Sequence, residues 1–450
     1  MKRLIILLVF LGAGAFVIGS VPCQGADEWT ALCHYKAATL AVDSPYIYIL
    51  VPTADVYRST DNGSNWQQRK TGLCADCSPN AISIDPTDPG WVFAGYEKWN
   101  RQRGPRSPLN PILYRSTDGG SNWTSEDHPQ CGLTTGGNIP TIVSNPDDSS
   151  KVFYGRLLGA GESGCPVRRS TDRGDTWATV ADDDDLRDDV LSLAFDLDDP
   201  DILYAGAEDS GVYKTTNSSG ANPSWSLTGL TQQEVRSIVV NPDNTSILYA
   251  ATTDDVWRSS DGGTNWTRIA GDHDYTFNSL ALNPKYPNIL YALRDDDHVY
   301  FYYDGRSSDW VEMGSGLASD DINQLSSDLG ATGSKVVYAA SDSGVYQHDE
   351  NEEKEFIRGD AKADDGLVNV VDWVFLNNYL NQNGGAPPCM DAADLDDDGY
   401  VDGDDLTYLT NFLFYSGPAP PKPYGTFPDS CGADPNADNL NCVYSPCYGQ

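Results

Sequence analysis

An eight-residue pattern recurs in phase along the chain, and short alternating strands separated by Gly/Asp turns surround each copy. Helical periodicity is absent from the same region. These observations predict a mainly β fold, a seven-bladed β-propeller, followed by a small all-α unit at the C-terminal end.

The N-terminal segment reads as a leader. Lys2 and Arg3 precede an apolar run from Leu4 to Ile18, and small or polar residues follow to Gly25. This is the pattern of a secretory signal peptide over residues 1–25, cut between Ser20 and Ala26. The run is too short for a comfortable membrane span, and no second candidate follows it. Val21 and Pro22 stand where lipid attachment at Cys23 would need a small residue. The expected location is therefore secreted or extracellular, at the cell surface, where disulfides form. The net charge of −37 excludes the basic footprint of a nucleic-acid binder. Its acid is mostly Asp, which suits turns and hard cations.

Residues 26–350 carry the repeat. Arg58–Trp66, Arg115–Trp123, Arg169–Trp177 and Arg258–Trp266 share Ser-x-Asp-x-Gly-x-x-Trp, Lys214–Trp225 is a looser copy, and Tyr302–Trp310 is a decayed one. The Asp can accept N–H bonds inside a turn, the Gly supplies a positive φ, and the Trp covers the turn. Those are architectural roles. The pattern resembles the Asp-box (BNR repeat), which implies a propeller.

Each copy sits in a larger unit. An inner strand ending near Asn/Asp-Pro, such as 82–86 or 238–242, precedes a second strand such as Ile247–Ala250. A Val-Tyr or Val-Trp strand comes before the box, and the Trp opens a fourth strand. Inner strands near Leu40, Ile82, Ile142, Leu191, Ile238, Leu280 and Leu325 give seven units. The last has no box of its own, so the segment around Trp29 is expected to supply its outer strand and remove the open edge.

In such a ring, connections between blades and from second to third strands share one face, opposite the boxes. The long connections 69–80, 95–111, 124–139, 156–167 and 178–189 all crowd that face on the first three blades. Cys33, Cys74, Cys77, Cys131 and Cys165 fall among them, with Cys131–Cys165 as an expected pair. The loop from Gly95 to Pro111 carries Tyr96, Trp99, Arg101, Arg103 and Arg106, a set able to stack on a sugar ring or grip a carboxylate. Asp182–Asp185 and Asp188–Asp189 place acid near the same face.

Asp-box propellers include sialidases, but their Arg-Ile-Pro motif is missing here and the arginines mostly open boxes. The dense boxes also resemble xyloglucanase-type glycosidases, which use a cleft between two propellers where this chain has room for one. Sortilin ectodomains and photosystem assembly factors are similar propellers that bind proteins without catalysis. The sequence is therefore expected to encode a non-catalytic propeller binding a glycan or protein ligand at its loop face. A dockerin-bearing glycoside hydrolase with paired carboxylates is the alternative.

After a charged linker at 351–358 the pattern changes. Val368–Leu380 aligns without a gap to Val401–Leu413, a loop plus a helix repeated twice, with Trp373, Leu376, Leu380, Leu406, Leu409 and Leu413 at helical spacing. In the second loop Asp394, Asp396, Asp398, Tyr400, Asp402 and Asp405 occupy the spacing of a Ca²⁺ site, with Tyr400 offering its carbonyl and Gly399 the bend. In the first, Asp360, Asp365, Asn369 and Asp372 are the candidates, but Ala361 and Ala363 stand at ligand positions, so weaker binding is expected. Residues 359–416 resemble a type I dockerin, which implies a cohesin-like domain or cell-surface scaffold as partner. Val370-Val371 and Gly403-Asp404 replace the Ser-Thr recognition pair common in that family. Residues 417–450 form a Pro/Cys-rich tail.

Overall fold

The structure is a computed structural model. It describes residues 29–349 except 54, 75–76, 100–107, 127–137, 158–165, 181–185, 187, 270–274, 285–286, 305–309, 314–316, 318–320 and 329–335; beyond these it describes 370–382, 387, 393–395, 400–415 and 418.

Seven sheets of four antiparallel strands follow one another along the chain. Six are simple meanders. The first blade runs from the inner strand Thr39–Asp43 to Gln67–Gln68, and the sixth from Phe277–Leu282 to Val311–Glu312. The seventh takes Ile322–Ser327, Val336–Ser341 and Val345–Asp349 from the end of the ring and Thr30–Cys33 from its start. The expected closure is thus present, and no outer edge of that blade is left open.

Each repeat turn is built by its own side chains. In the second blade Ser116 Oγ donates to Asp118 Oδ1 (2.9 Å) and accepts from the Gly120 N–H (2.8 Å), while Asn122 donates its N–H and its amide to the two Asp118 oxygens. The turns at Asp61, Asp172 and Asp261 repeat this pattern. Gly63, Gly120, Gly174 and Gly263 have φ between 82° and 90°, which a side chain resists. The fourth blade keeps the turn with Thr215 and Asn217 in place of Ser and Asp.

The first side chain of each turn reaches forward to the next blade. Arg58 donates to the Gly119 carbonyl (3.3 Å), Arg115 to the Arg173 carbonyl (2.8 Å), Arg169 to the Gly220 carbonyl (2.7 Å), Lys214 to the Gly262 carbonyl (3.0 Å), and Arg258 to Asp304 (2.7 Å). Apolar residues fill every seam. Seven clusters lie one per neighbouring pair of blades, each holding a buried Tyr or Phe from a second strand, such as Tyr48, Tyr204 or Tyr291.

Where the last blade meets the first there is no box arginine. Gln324 accepts from the Thr39 hydroxyl and from the Leu40 N–H, Asn323 donates to the Ala37 carbonyl, Asp328 accepts from the Ser44 N–H, and Lys36 pairs with Asp342.

The C-terminal unit has two 13-residue helices, α1 (Val370–Gln382) and α2 (Gly403–Tyr415). All six apolar positions expected from the helical spacing join one cluster around Leu376, Leu395 and Leu409. Trp373 also donates its indole N–H to Thr410 (2.7 Å).

The closure seam has an electrostatic cost. Burial first, then the charges of Asp328 and Asp85, raise the Asp43 carboxyl to about 6. A carboxyl raised on folding resists ionisation in the folded state, so stability falls as pH rises between about 4 and 6. Asp43→Asn is expected to match the parent at acid pH and to exceed it above pH 6. The gain, discounted for partial exposure, is about 1 kcal/mol. Thermal melts across that range check the sign; a variant less stable at neutral pH overturns it.

Candidate functional site

The inner strands surround a channel of about 370 Å³ on the ring axis. Asn80, Thr141, Ser192, Asn278 and Gln324 line it, and Arg236 is the one charged residue among the lining residues. Several polar groups there are spent on holding blades together. The Leu280 N–H donates to Ser237 Oγ (3.2 Å) and the Leu325 N–H to Ser279 Oγ (3.0 Å). The channel wall is thus mainly structural.

Acidic groups gather at the end of the channel where blades connect. Glu208 and Asp209 sit on the second-to-third strand turn of the fourth blade, and Asp188 and Asp189 on the segment entering it. The backbone joins them: the Glu208 N–H donates to the Asp189 carbonyl (2.9 Å), and the Asp209 N–H to Asp188 Oδ2 (2.8 Å). Glu234, entering the fifth blade, accepts from Arg236 Nε (2.8 Å), and Arg236 also donates to Asn278. Burial first, then the charge and hydrogen bond of Asp189 and the charges of Asp209 and Glu234, raise Glu208 to about 7. Glu208 and Asp189 therefore share a proton near neutrality, the state a general acid needs.

Asp188 and Asp189 were expected near this face; Glu208, Glu234 and Arg236 were not. Their signal is positional. The turn Glu208–Gly211 joins second to third strand, so it belongs to the loop face, and Glu234 lies two residues before the inner-strand residue Arg236.

The other expected ligand set is corrected in part. Gly95–Pro111 is not one loop. Strands Val92–Trp99 and Pro108–Ser116 continue as a paired hairpin, with Lys98 opposite Leu109 and Trp99 opposite Pro108. Tyr96 lies inside this pair, 0% exposed and edge-on to Tyr114, so it is a core residue and cannot stack on a ligand. Hairpin extension buries it because the sheet outgrows the turn that sequence spacing suggests. Trp99 ends the first strand; Arg101, Arg103 and Arg106 lie outside the described residues. Cys74 and Cys77 are bonded to each other, whereas Cys33 is a buried free thiol whose ionisation burial resists. Cys131 and Cys165 lie outside the described residues.

In the helical unit, Asp394 and Asp405 are 1% exposed and Asp372 is 0% exposed. The Leu395 N–H donates to Asp405 Oδ1 (2.6 Å) and the Asp402 N–H to Asp405 Oδ2 (2.7 Å), which ties the loop to the start of α2. Three nearly inaccessible carboxylates in a four-residue apolar core fit a unit organised around a hard cation. Tyr400, the expected position 7, is exposed. Asp360, Asp365, Asn369, Asp396 and Asp398 lie outside the described residues. Among those described, no three acidic, His or Cys groups stand close enough to hold a metal. No helix among them is long and apolar enough to cross a membrane.

Fold and helical unit together define a seven-bladed propeller carrying a C-terminal dockerin domain: residues 363–414 match the dockerin type I domain. The chain is 24% identical over 256 residues to a xyloglucanase of a Paenibacillus species, covering 47% of this chain and 24% of that protein. It is 25% identical over 198 residues to xyloglucanase Xgh74A of Acetivibrio thermocellus, covering 42% and 20%. It thus spans at most about a quarter of the curated relatives it matches. The solved GH74 xyloglucanase from Xanthomonas campestris superposes with a TM-score of 0.54 at 15% identity, over 71% of this chain and 53% of that one, a likeness of fold.

These matches correct the expectation of a non-catalytic binding propeller. The sequence relatives are xyloglucanases, so the dockerin-bearing glycoside hydrolase is the better reading. Missing sialidase residues and a single ring had argued against catalysis, but the absent Arg-Ile-Pro motif speaks only to sialidase chemistry.

The shared proton is directly measurable. Carboxyl NMR of the full chain is expected to show Glu208 titrating near pH 7 and shifting to lower pH in Asp189→Asn, where the like charge is gone. An unmoved midpoint would break the pairing.

Proposed function

We propose that this chain is a dockerin-borne glycoside hydrolase that cleaves a β-linked polysaccharide, xyloglucan being the first candidate. The observation that carries this is the match to xyloglucanases across nearly half the chain, on a chain that also holds a dockerin domain. The turns that build the ring are Asp-boxes. Residues 1–25 are a signal peptide, 26–350 the propeller, 351–358 a linker, 359–416 the docking unit and 417–450 a tail. The protein is exported and held on an extracellular or cell-surface scaffold by a cohesin-like partner.

The loop face supports hydrolysis. Glu208, protonated near neutrality beside Asp189, is placed to give a proton to a leaving glycosidic oxygen. Asp189 holds that proton in place and is too close to be the second catalytic carboxylate, which has to stand several ångströms away. Asp209 and Glu234 are the further carboxylates whose charge Glu208 feels; Glu234 is paired with Arg236, so Asp209 is the candidate to activate water.

Release of reducing ends from xyloglucan, mixed-linkage β-glucan and carboxymethyl cellulose tests this. The parent should hydrolyse at least one, and Glu208→Gln should lose about 100-fold or more in kcat, the usual contribution of a general acid. A parent inactive on every β-glucan would sink the reading.

The docking unit is proposed to bind Ca²⁺ tightly through Asp394, Asp396, Asp398, Asp402, Asp405 and the Tyr400 carbonyl. Binding through Asp360, Asp365, Asn369 and Asp372 is weaker. Ca²⁺ there offsets repulsion among carboxylates and so adds to folding free energy. Calorimetric titration of the chelator-treated chain should show one tight event, abolished by Asp405→Ala; two equal tight events would show the first loop to be complete.

A further inference from the structure

The turn that carries Glu208 is held differently from its counterparts in the ring. In the fifth and seventh blades the last residue of the second strand has a hydroxyl, and that hydroxyl braces its own turn. Thr252 donates to the Asp255 carbonyl (2.9 Å) and accepts from the Asp254 N–H (3.0 Å). Ser341 donates to the Gly344 carbonyl (3.2 Å) and accepts from the Ser343 N–H (3.1 Å). In the fourth blade Ala207 stands at that position and has no hydroxyl to offer. The N–H that such a group would hold, that of Asp209, instead donates to Asp188 Oδ2 (2.8 Å), on the segment entering the same blade. The other oxygen, Asp188 Oδ1, accepts from the Asp189 N–H (2.8 Å). One carboxylate thus grips the backbone on both sides of the Glu208–Asp189 pair.

The remaining bond between these two segments is general to the ring. The Glu208 N–H donates to the Asp189 carbonyl (2.9 Å), and Asp295 and Asp342 make the same bond to Thr276 and Asp321 in the sixth and seventh blades (3.0 and 2.9 Å). A single bond leaves a turn free to pivot about it. A second bond on the adjacent N–H removes that rotation, and a carboxylate acceptor makes it charge-assisted. The entry segment is firm enough to serve as the reference. Leu186 and Val190, on either side of Asp188, are 0% exposed and share one cluster with Phe153 and Val167 of the third blade.

We infer that Asp188 is a positioning residue for the Glu208–Asp189 pair, clamping the acid-bearing turn to the entry segment so that the two carboxyls keep one separation. Proton sharing falls off with distance, and a general acid has to meet the leaving oxygen in a fixed geometry. The clamp also fixes Asp209, because the N–H it holds is that residue's own. The charged groups acting on Glu208 are Asp189, Asp209 and Glu234, the last paired with Arg236, and Asp188 bonds directly to the backbone of the first two. The catalytic consequence rests on the glycoside hydrolase reading; the clamp rests on the backbone bonds.

Three variants of the full chain separate positioning from turn stability and from charge, read by melting temperature, xyloglucan hydrolysis and carboxyl NMR of Glu208. Asp188→Ala should lower kcat roughly ten-fold with KM near the parent value, and should move the Glu208 midpoint to lower pH. Adding Ala207→Ser gives the turn the brace that Ser341 supplies in the seventh blade, at a position where both residues are 0% exposed. This double variant should recover the parent melting temperature but neither kcat nor the midpoint. Asp188→Asn removes the same charge and keeps one acceptor oxygen, so its midpoint should shift less than that of Asp188→Ala. If the double variant regains the parent kcat and midpoint, Asp188 merely braces the turn and the positioning role is wrong, with the hydrolase reading intact. Equal midpoint shifts in Asp188→Asn and Asp188→Ala would assign the effect to charge and overturn the clamp. If the parent hydrolyses no β-glucan, the hydrolase reading falls, and the midpoints of the three variants still decide the clamp.

Discussion

The forward-reaching cation at the head of each repeat turn is the interaction on which the rest depends. Arg58, Arg115, Arg169, Lys214 and Arg258 each leave their own sheet and donate to the next one. A four-stranded sheet is a weak unit alone, with two faces to bury and two edges to protect. Here each face is covered by a neighbour, and at five of the seven seams a charge-assisted bond fixes the angle at which it is covered. The acceptor is usually a carbonyl of the following turn, and that carbonyl is presented because Ser, Asp and Gly fold the turn tightly. One motif therefore serves two blades.

The ring in turn decides where chemistry can sit. Inner-strand side chains such as Ser237, Ser279 and Gln324 tie neighbouring blades, so the channel wall is spent on cohesion. Acidic groups gather instead at the rim on the connection face. Arg236 pairs with Glu234 there, while burial and the neighbouring charge of Asp189 raise Glu208 to about 7. Raised proton affinity is a by-product of geometry that a hydrolase can use.

Much of the architecture was legible in the residues. Four exact repeats, the Asn/Asp-Pro ends of inner strands and the boxless last unit gave blade number and closure by the N-terminal strand, because those patterns are local and periodic. The helical spacing of Trp373, Leu376 and Leu409 gave the C-terminal core for the same reason. One residue of the expected ligand set was misread. Tyr96 stands among aromatic and basic residues like a surface residue, yet the strand continues through it and buries it. How far a hairpin extends depends on the partner strand, and Pro108–Ser116 extends as far as Val92–Trp99 requires.

By itself the sequence determined the periodic facts: the number of blades, the turn chemistry, the helical pair and the register of acidic residues in its second loop. Each follows from residues a few positions apart, where backbone geometry alone fixes what meets what. Tertiary structure decided which distant groups converge. Asp189 and Glu208 lie on separate connections of the fourth blade and meet because its first two strands pair with Val190 opposite Ala207, whereas Arg236 and Asn278 meet only where two blades pack side by side. Proton sharing falls off with distance, so it could not be read from spacing along the chain alone.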